Sequence, residues 1–312
     1  MLNFNLRRYT KESPPATPIL TPSAQGAGAN ASSSAAVGWS SPGAMKKHAY
    51  VVLSYGDDAR SNICPTLVAA YGIRQVVSNA TAVIIMRIGA PIAAAALPAG
   101  VEQRHVQPPR TSGRYQWKHS FAKFWIAEMY EFDAVAFLDF DVLLFKPLDV
   151  MLDLADEVAD SVVSPRAYWL GQPYGTSGTF VVSPLKDGVV NTAFLSTLQG
   201  SLGPSVLGRS FDGDMDWFNA DKEVTDNVAL VSGFYTLLCG EFFPGDGVYQ
   251  YWGKRLQKMP EEILESAHLV HFIAGWKPWA SGIGEAHGNE TPQLKRIYGI
   301  WEGYRANACA RV

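Results

Sequence analysis

Residues 134–145 read Ala134-Val-Ala-Phe-Leu-Asp139-Phe-Asp141-Val-Leu-Leu-Phe145. The run from Ala134 to Leu138 is short, apolar and unbroken, as in a strand buried on both faces of a parallel sheet. Two carboxylates stand two apart where it ends. Side chains at i and i+2 of an extended chain point the same way. Asp139 and Asp141 therefore face one site at the carboxyl edge of the sheet, where open α/β sheets bind ligands. Two acids in an apolar setting repel, and neither stays ionised without a cation. A divalent metal with oxygen ligands resolves that conflict. The plainer alternative is a solvated strand end, but Leu138 and Phe140 hem in Asp139.

The same reading extends outward along the chain. Ala49-Tyr-Val-Val-Leu-Ser54 is another buried strand, and Gly56-Asp57-Asp58 is the turn that ends it. Pro65-Thr-Leu-Val-Ala-Ala-Tyr71 opens a helix, with proline near its first turn. Ala82-Val-Ile-Ile-Met-Arg87 is the next strand. This β–α–β succession predicts a parallel sheet. No G-x-G-x-x-G fingerprint accompanies it, so NAD is not predicted. In residues 121–132, Phe121, Phe124, Trp125, Met129 and Phe132 share one helical face. Lys123 lies opposite that face, where a lysine is by default solvated. Gly178–Ser183 and Ala267–Phe272 read as further strands, and residues 291–305 as a closing helix. The class is α/β, with a mostly parallel central sheet in one Rossmann-like domain over residues 46–312. Residues 1–45, rich in Ala, Ser, Gly and Pro, read as a disordered tail. A transit peptide is the alternative there, since Arg7, Arg8 and Lys11 face one acid, Glu12.

Composition narrows the function classes. The chain has 312 residues, with 26 Lys plus Arg against 29 Asp plus Glu, a net charge of −3. A nucleic-acid partner is not expected, since phosphate affinity needs a basic surface. The most apolar stretch, residues 80–101, contains Arg87, Pro91 and Pro98, so no integral membrane segment is expected. The N-terminus lacks the apolar core of a signal peptide. Cys64, Cys239 and Cys309 read as reduced thiols in a cytoplasmic protein, with organellar import through the tail as the open alternative.

Two enzyme classes place Asp-x-Asp at a strand end. In haloacid-dehalogenase-like phosphatases the first Asp is a nucleophile and the second a general acid. Val142 fits their pattern, but Gln250 stands where the second acid of Gly245-Asp246-Gly-Val-Tyr-Gln250 belongs. Their nucleophile strand usually comes early, whereas here a β–α–β unit precedes it. In nucleotide-sugar glycosyltransferases the pair holds manganese under the donor diphosphate.

The segment Lys123-x15-Asp139-x-Asp141 resembles glycosyltransferase family 8, the glycogenin and galactinol synthase group. Gly175-Thr-Ser-Gly178-Thr-Phe-Val-Val is similar to the family's Asn-Ser/Ala-Gly-x-x-Val loop and strand. Phe211-Asp212-Gly-Asp214-Met-Asp-Trp-Phe-Asn219 resembles its Asp-Gln-x-x-Leu-Asn helix start. His271-Phe-Ile-Ala-Gly-Trp-Lys277-Pro-Trp279 resembles its His-Phe-x-Gly-x-x-Lys-Pro-Trp motif, the most specific of the four.

The resemblance implies a GT-A-type nucleotide-sugar-binding domain that transfers a hexosyl group from a UDP-sugar with retention. It implies Asp139, Asp141 and His271 as ligands of Mn2+, and Lys277 as the cation that neutralises the departing diphosphate. It places Leu53, Lys123, Asp139, Phe140, Thr176, Ser177, Gly275 and Lys277 against the donor, and Asp212 and Asp214 beside the donor sugar in catalytic positions. An imidazole among hard oxygens favours manganese over magnesium. The acceptor is a sugar, a polyol or a protein, and a homodimer is compatible with the family. Met215 replaces the family's glutamine near the anomeric carbon, and Thr176 replaces its usual asparagine, so the sugar is left open. Met215 also keeps a third reading open, a sugar-nucleotide binding protein that has lost transfer. Tyr249 and Tyr251 fall near the stretch that carries glycogenin's self-glucosylated tyrosine, although packing or acceptor binding is the commoner use of such residues. Trp276 and Trp279 read as packing.

Overall fold

Short apolar runs supply most of the strands, with Val101-Glu-Gln-Arg-His105 the polar exception at the sheet edge. In chain order they are β1 (His48–Ser54), β2 (Ala82–Arg87), β3 (Val101–His105), β4 (Ala134–Leu138), β5 (Val142–Leu144), β6 (Val162–Pro165), β7 (Thr179–Val182), β8 (Val228–Val231), β9 (Leu237–Leu238) and β10 (Leu269–His271). The α-helices are α1 (Ile63–Val76), α2 (Asp149–Glu157), α3 (Val189–Leu198), α4 (Asp214–Phe218), α5 (Lys222–Thr225), α6 (Pro260–Ser266) and α7 (Pro292–Ala308). This computed structural model describes residues 46–56, 62–110, 118–158, 160–170, 172–200, 213–243, 252, 258–273, 276–279 and 291–310. The tail 1–45, the turn at Asp57-Asp58, Asp212, residues 245–250, Tyr251 and Gly275 lie outside them.

Seven strands form one sheet in the order β3-β2-β1-β4-β7-β6-β8. Only β7 runs against its neighbours, β4 and β6; the other pairings are parallel. β5, β10 and β9 form a separate three-stranded sheet, so the predicted strand at 267–272 belongs to this second sheet. β1 shows the two-residue period that divides the core. Tyr50 and Val52 pack with α1, β5 and α7, whereas Ala49, Val51 and Leu53 pack with residues 121–129, α3 and α4. The second layer is rich in aromatics: Phe124 lies 4.5 Å from Phe194 and 4.8 Å from Trp217, ring centre to ring centre.

Two sequence expectations are corrected. Residues Lys118–Glu128 form a long 3₁₀ helix, not an α-helix running to Phe132. With three residues per turn, positions i and i+3 eclipse. Phe121, Phe124 and Ala127 then form one buried stripe, and Ser120, Lys123 and Ile126 another. Lys123 is therefore not solvated; it is 2 % exposed. The second correction concerns the thiols. Cys64, near the start of α1, is disulfide-bonded to Cys309 at the end of α7, with Cα atoms 5.5 Å apart. Cys239 is the free cysteine and is buried. The partners are 245 residues apart, too far for spacing to pair them. The bond removes the reduced-thiol argument for the cytoplasm. No helix among the described residues is long and apolar enough to cross a membrane.

Candidate metal and donor site

The chain leaves the large sheet at Leu138 and enters the small one at Val142, so Asp139-Phe140-Asp141 bridges the two. The Asp139 N–H donates to Gly178 O at 2.8 Å, and the Phe272 N–H donates to Asp141 O at 2.8 Å. β5 pairs antiparallel with β10, with Val142 opposite His271. That register carries His271 to the acids. One ligand atom from each of Asp139, Asp141 and His271 lies within 4.8 Å of the others.

Both oxygens of Asp141 are engaged. His271 Nε2 lies 3.0 Å from Oδ1, and Lys277 Nζ donates to Oδ2 at 2.6 Å. Burial alone would raise the Asp141 carboxyl, but His271 and Lys277 hold it well below the usual carboxylate range. His271 is raised in turn: burial opposes its charge, and Asp141 outweighs burial. The Lys277 ammonium also sits 5.6 Å from the Phe140 ring centre and 5.7 Å from that of Trp279.

A second group of charges centres on Lys123. Its Nζ donates to Asp139 Oδ1 at 3.1 Å and to Ser177 O at 2.9 Å, and it pairs with Asp214 Oδ2 at 2.7 Å. Burial disfavours that charge, but Asp139 and Asp214 hold the lysine protonated. Asp214 also accepts hydrogen bonds from Ser120 Oγ at 2.7 Å and Ser177 Oγ at 2.6 Å. Ser120 and Lys123 reach it together because they eclipse on the 3₁₀ helix. Against burial, Lys123 and the two hydroxyls keep Asp214 below the usual range. Asp139 goes the other way. Burial, with Asp141 and Asp214 nearby, pushes it up to about 6 despite Lys123. Carboxylates sharing one site split in this manner.

The glycine-rich loop closes the cluster. Asn219 clamps Gly175: the Gly175 N–H donates to Asn219 Oδ1 at 2.9 Å, and Asn219 Nδ2 donates to Gly175 O at 2.9 Å. Thr176 is buried, and its hydroxyl accepts from the Gly178 N–H at 3.2 Å. A side chain at Gly178 would place Cβ 3.0 Å from Asp139 Oδ2 and 3.2 Å from His271 Cε1. Glycine leaves that space between the two side chains open.

Asp139, Asp141, His271, Lys123, Ser177, Asp214 and Lys277 therefore share one charged cluster. Phe140 borders it, with its ring 6.0 Å from those of Tyr55 and Trp279. Leu53 is set back in the core at 2 % exposure. Trp276 packs on Phe243, ring centres 3.7 Å apart, and Trp279 on Trp301 at 5.5 Å. Ser120 and the Asn219 clamp were missed in the sequence. Ser120 stands three residues before Lys123, a signal only if the helix is read as 3₁₀. A cavity of about 270 Å³ shares no lining residue with the cluster; Arg104, His105, Trp125 and Glu128 are among its walls.

No family model matches the sequence, and no curated protein sequence matches it. Solved structures match its fold. Glycosyltransferase GlyE of Streptococcus pneumoniae TIGR4 superposes with a TM-score of 0.55 at 15% identity, over 86% of this chain and 64% of GlyE. The bifunctional glycosyltransferase WbbM gives 0.58 at 13% identity, over 86% of this chain and 51% of WbbM. The chain has a GT-A glycosyltransferase fold. Galactosyltransferase LgtC, solved with donor and acceptor sugar analogues, gives 0.50 at 16% identity over 82% of this chain and 95% of LgtC. The chain thus spans between half and two-thirds of GlyE and WbbM.

Proposed function

We propose that the protein is a manganese-dependent glycosyltransferase that moves a hexosyl group from a UDP-sugar to an acceptor hydroxyl. The observation that carries this reading is the grouping of Asp139, Asp141 and His271 within 4.8 Å at the carboxyl edge of β4. The donor set fits a divalent ion. Two carboxylates supply hard oxygens, an imidazole adds nitrogen, and Gly178 leaves open the space a side chain would fill. When bound there, the ion withdraws charge from the diphosphate as the sugar leaves.

The chain's own residues do the rest. Lys277 adds a second positive charge for the diphosphate, whose negative charge grows as the bond to the anomeric carbon breaks. The electron pair of that bond leaves with UDP. The acceptor oxygen forms the new bond, and its proton leaves with the diphosphate. Asp214, held by Lys123, Ser120 and Ser177, offers a fixed carboxylate to hydroxyls of the donor sugar. Asp212, two residues before it, takes the neighbouring position in the resemblance. Retention likewise rests on the resemblance to family 8. The acceptor is a sugar, polyol or protein hydroxyl.

A second reading, binding of the sugar nucleotide without transfer, draws on Met215. A thioether is a weak acceptor and no donor, so it cannot replace a glutamine amide. Hydrolysis of UDP-glucose, UDP-galactose, UDP-glucuronate and UDP-N-acetylglucosamine with Mn2+ separates the readings. A transferase slowly hydrolyses one of them and loses the activity in Asp141→Asn. A pure binder protects a UDP-sugar in calorimetry and hydrolyses none. Cleavage of simple phosphomonoesters instead would identify a phosphatase.

A further inference from the structure

Arg87 ends β2 opposite Ser54, the last residue of β1. It is 1 % exposed. A guanidinium stays charged inside a protein and is tolerated there only when its donors are satisfied. Nη1 donates to Ser54 Oγ at 2.9 Å, Nη2 to Gly56 O at 3.1 Å and Nε to Ala90 O at 2.9 Å. One planar group thus ties the exit of β1 to the exit of β2. Gly56 has φ +118° and Gly89 +103°, the region that favours glycine. A Cβ at Gly89 would lie 3.2 Å from Gly56 O and 3.5 Å from Arg87 Nη2. Both glycines let the two loops close around the guanidinium.

The tied segment borders the charged cluster. β1 lies between β2 and β4, and Val52 pairs with Leu138. Ser54–Gly56 therefore emerges beside Phe140, at the crevice where the strand order reverses. The Tyr55 ring stands edge-on to Phe140, and Asn62 Nδ2 donates back to Tyr55 O. Adjacent strands lie about 4.8 Å apart. The end of β1 is therefore within reach of the nucleoside of a ligand whose diphosphate meets Asp139 and Asp141.

We infer that Arg87 is a positioning residue for the nucleoside end of the donor. It touches no ligand; its fork holds Ser54–Gly56 in the shape that receives the base and ribose. The inference rests on the reading proposed above. A lysine keeps the charge but offers its three N–H donors from a single nitrogen, so it cannot span acceptors set around Nε, Nη1 and Nη2 of a planar fork.

The test uses the full chain, with UDP and inorganic pyrophosphate as probes in the presence of Mn2+. Arg87→Lys should weaken UDP binding about tenfold or more and raise the donor KM equally. Turnover at saturation should stay within about twofold, and pyrophosphate binding should be unchanged. Ser54→Ala, which removes one acceptor and leaves the arginine, should weaken UDP about threefold and serves if Arg87→Lys does not fold. UDP affinity within twofold of wild type in the folded variants overturns the inference. So does an equal loss of pyrophosphate, because the damage would then not be confined to the nucleoside end. Absence of UDP binding in the wild type overturns the glycosyltransferase reading itself.

Discussion

On the reading proposed above, a metal ion would compete with Lys277 for the Asp141 carboxylate, and that competition would have a measurable size. Nζ is 2.6 Å from Asp141 Oδ2, and His271 holds the other oxygen at 3.0 Å. A cation that takes the Oδ2 lone pair held by Lys277 would displace a charge-assisted hydrogen bond. Such bonds are worth about 1.5–3 kcal/mol net, or roughly 10–150-fold in an equilibrium constant. Lys277→Met keeps the length of the side chain and removes the ammonium. The variant should bind Mn2+ about 10–100-fold more tightly than wild type in the absence of nucleotide. UDP changes the comparison, because the diphosphate gives Lys277 another anion. Wild type should therefore bind Mn2+ more tightly once UDP is present. The variant should lose the share of that synergy that comes from moving Lys277 off Asp141, keeping the share supplied by the diphosphate oxygens themselves. Turnover should fall about 10²–10³-fold, the usual loss when one preorganised donor to a developing anion is removed. Electron paramagnetic resonance of free Mn2+, with and without UDP, reads the first two effects, and donor hydrolysis reads the third. Unchanged or weaker Mn2+ affinity in nucleotide-free Lys277→Met would refute the competition.

Other predictions follow from the buried charges, the disulfide and the tail. Lys123→Met leaves Asp139 and Asp214 facing each other without their shared cation; urea unfolding should show a loss of about 3–5 kcal/mol, and a loss under 1 kcal/mol would mean the lysine is not buried there. Denatured, unreduced protein should titrate one thiol, Cys239, and three after reduction. Cys309→Ser should lower stability by about 2–4 kcal/mol, seen as a drop in Tm of roughly 4–16 °C at about 2–4 °C per kcal/mol. Removal of residues 1–45 should leave Tm and donor hydrolysis unchanged, and a large drop in Tm would show that the segment packs.

The parts of the site legible in the sequence are those that local pattern specifies. β4 is an unbroken apolar run ended by two acids, so its burial and its carboxyl edge follow from composition. His271 and Lys277 are six residues apart on one short segment, so one motif carries both. What was hidden depends on contacts between distant segments. Nothing in Thr179–Val182 encodes that β7 runs antiparallel to β4; pairing decides it. Lys123 looks solvated on an α-helical wheel because its partners, Asp139, Ser177 and Asp214, come from other elements. The tighter 3₁₀ winding that turns Ser120 and Lys123 inward together is set by packing, with Phe121 and Phe124 held in the aromatic layer. Arg87 reads in the sequence only as a break in an apolar stretch. In the fold it is the buried tie between two strand ends.

The claim that one ion joins Asp139, Asp141 and His271 under a donor diphosphate has a direct measurement. Crystals grown with Mn2+ and UDP, with data collected at the manganese absorption edge, should show one anomalous peak. It should be bonded to a carboxylate oxygen of each aspartate, to a ring nitrogen of His271 and to diphosphate oxygens, with Lys277 turned from Asp141 to the diphosphate. UDP bound with no anomalous peak at these three residues, or manganese held elsewhere, for instance at His48, Asp153 and Asp156, would contradict it.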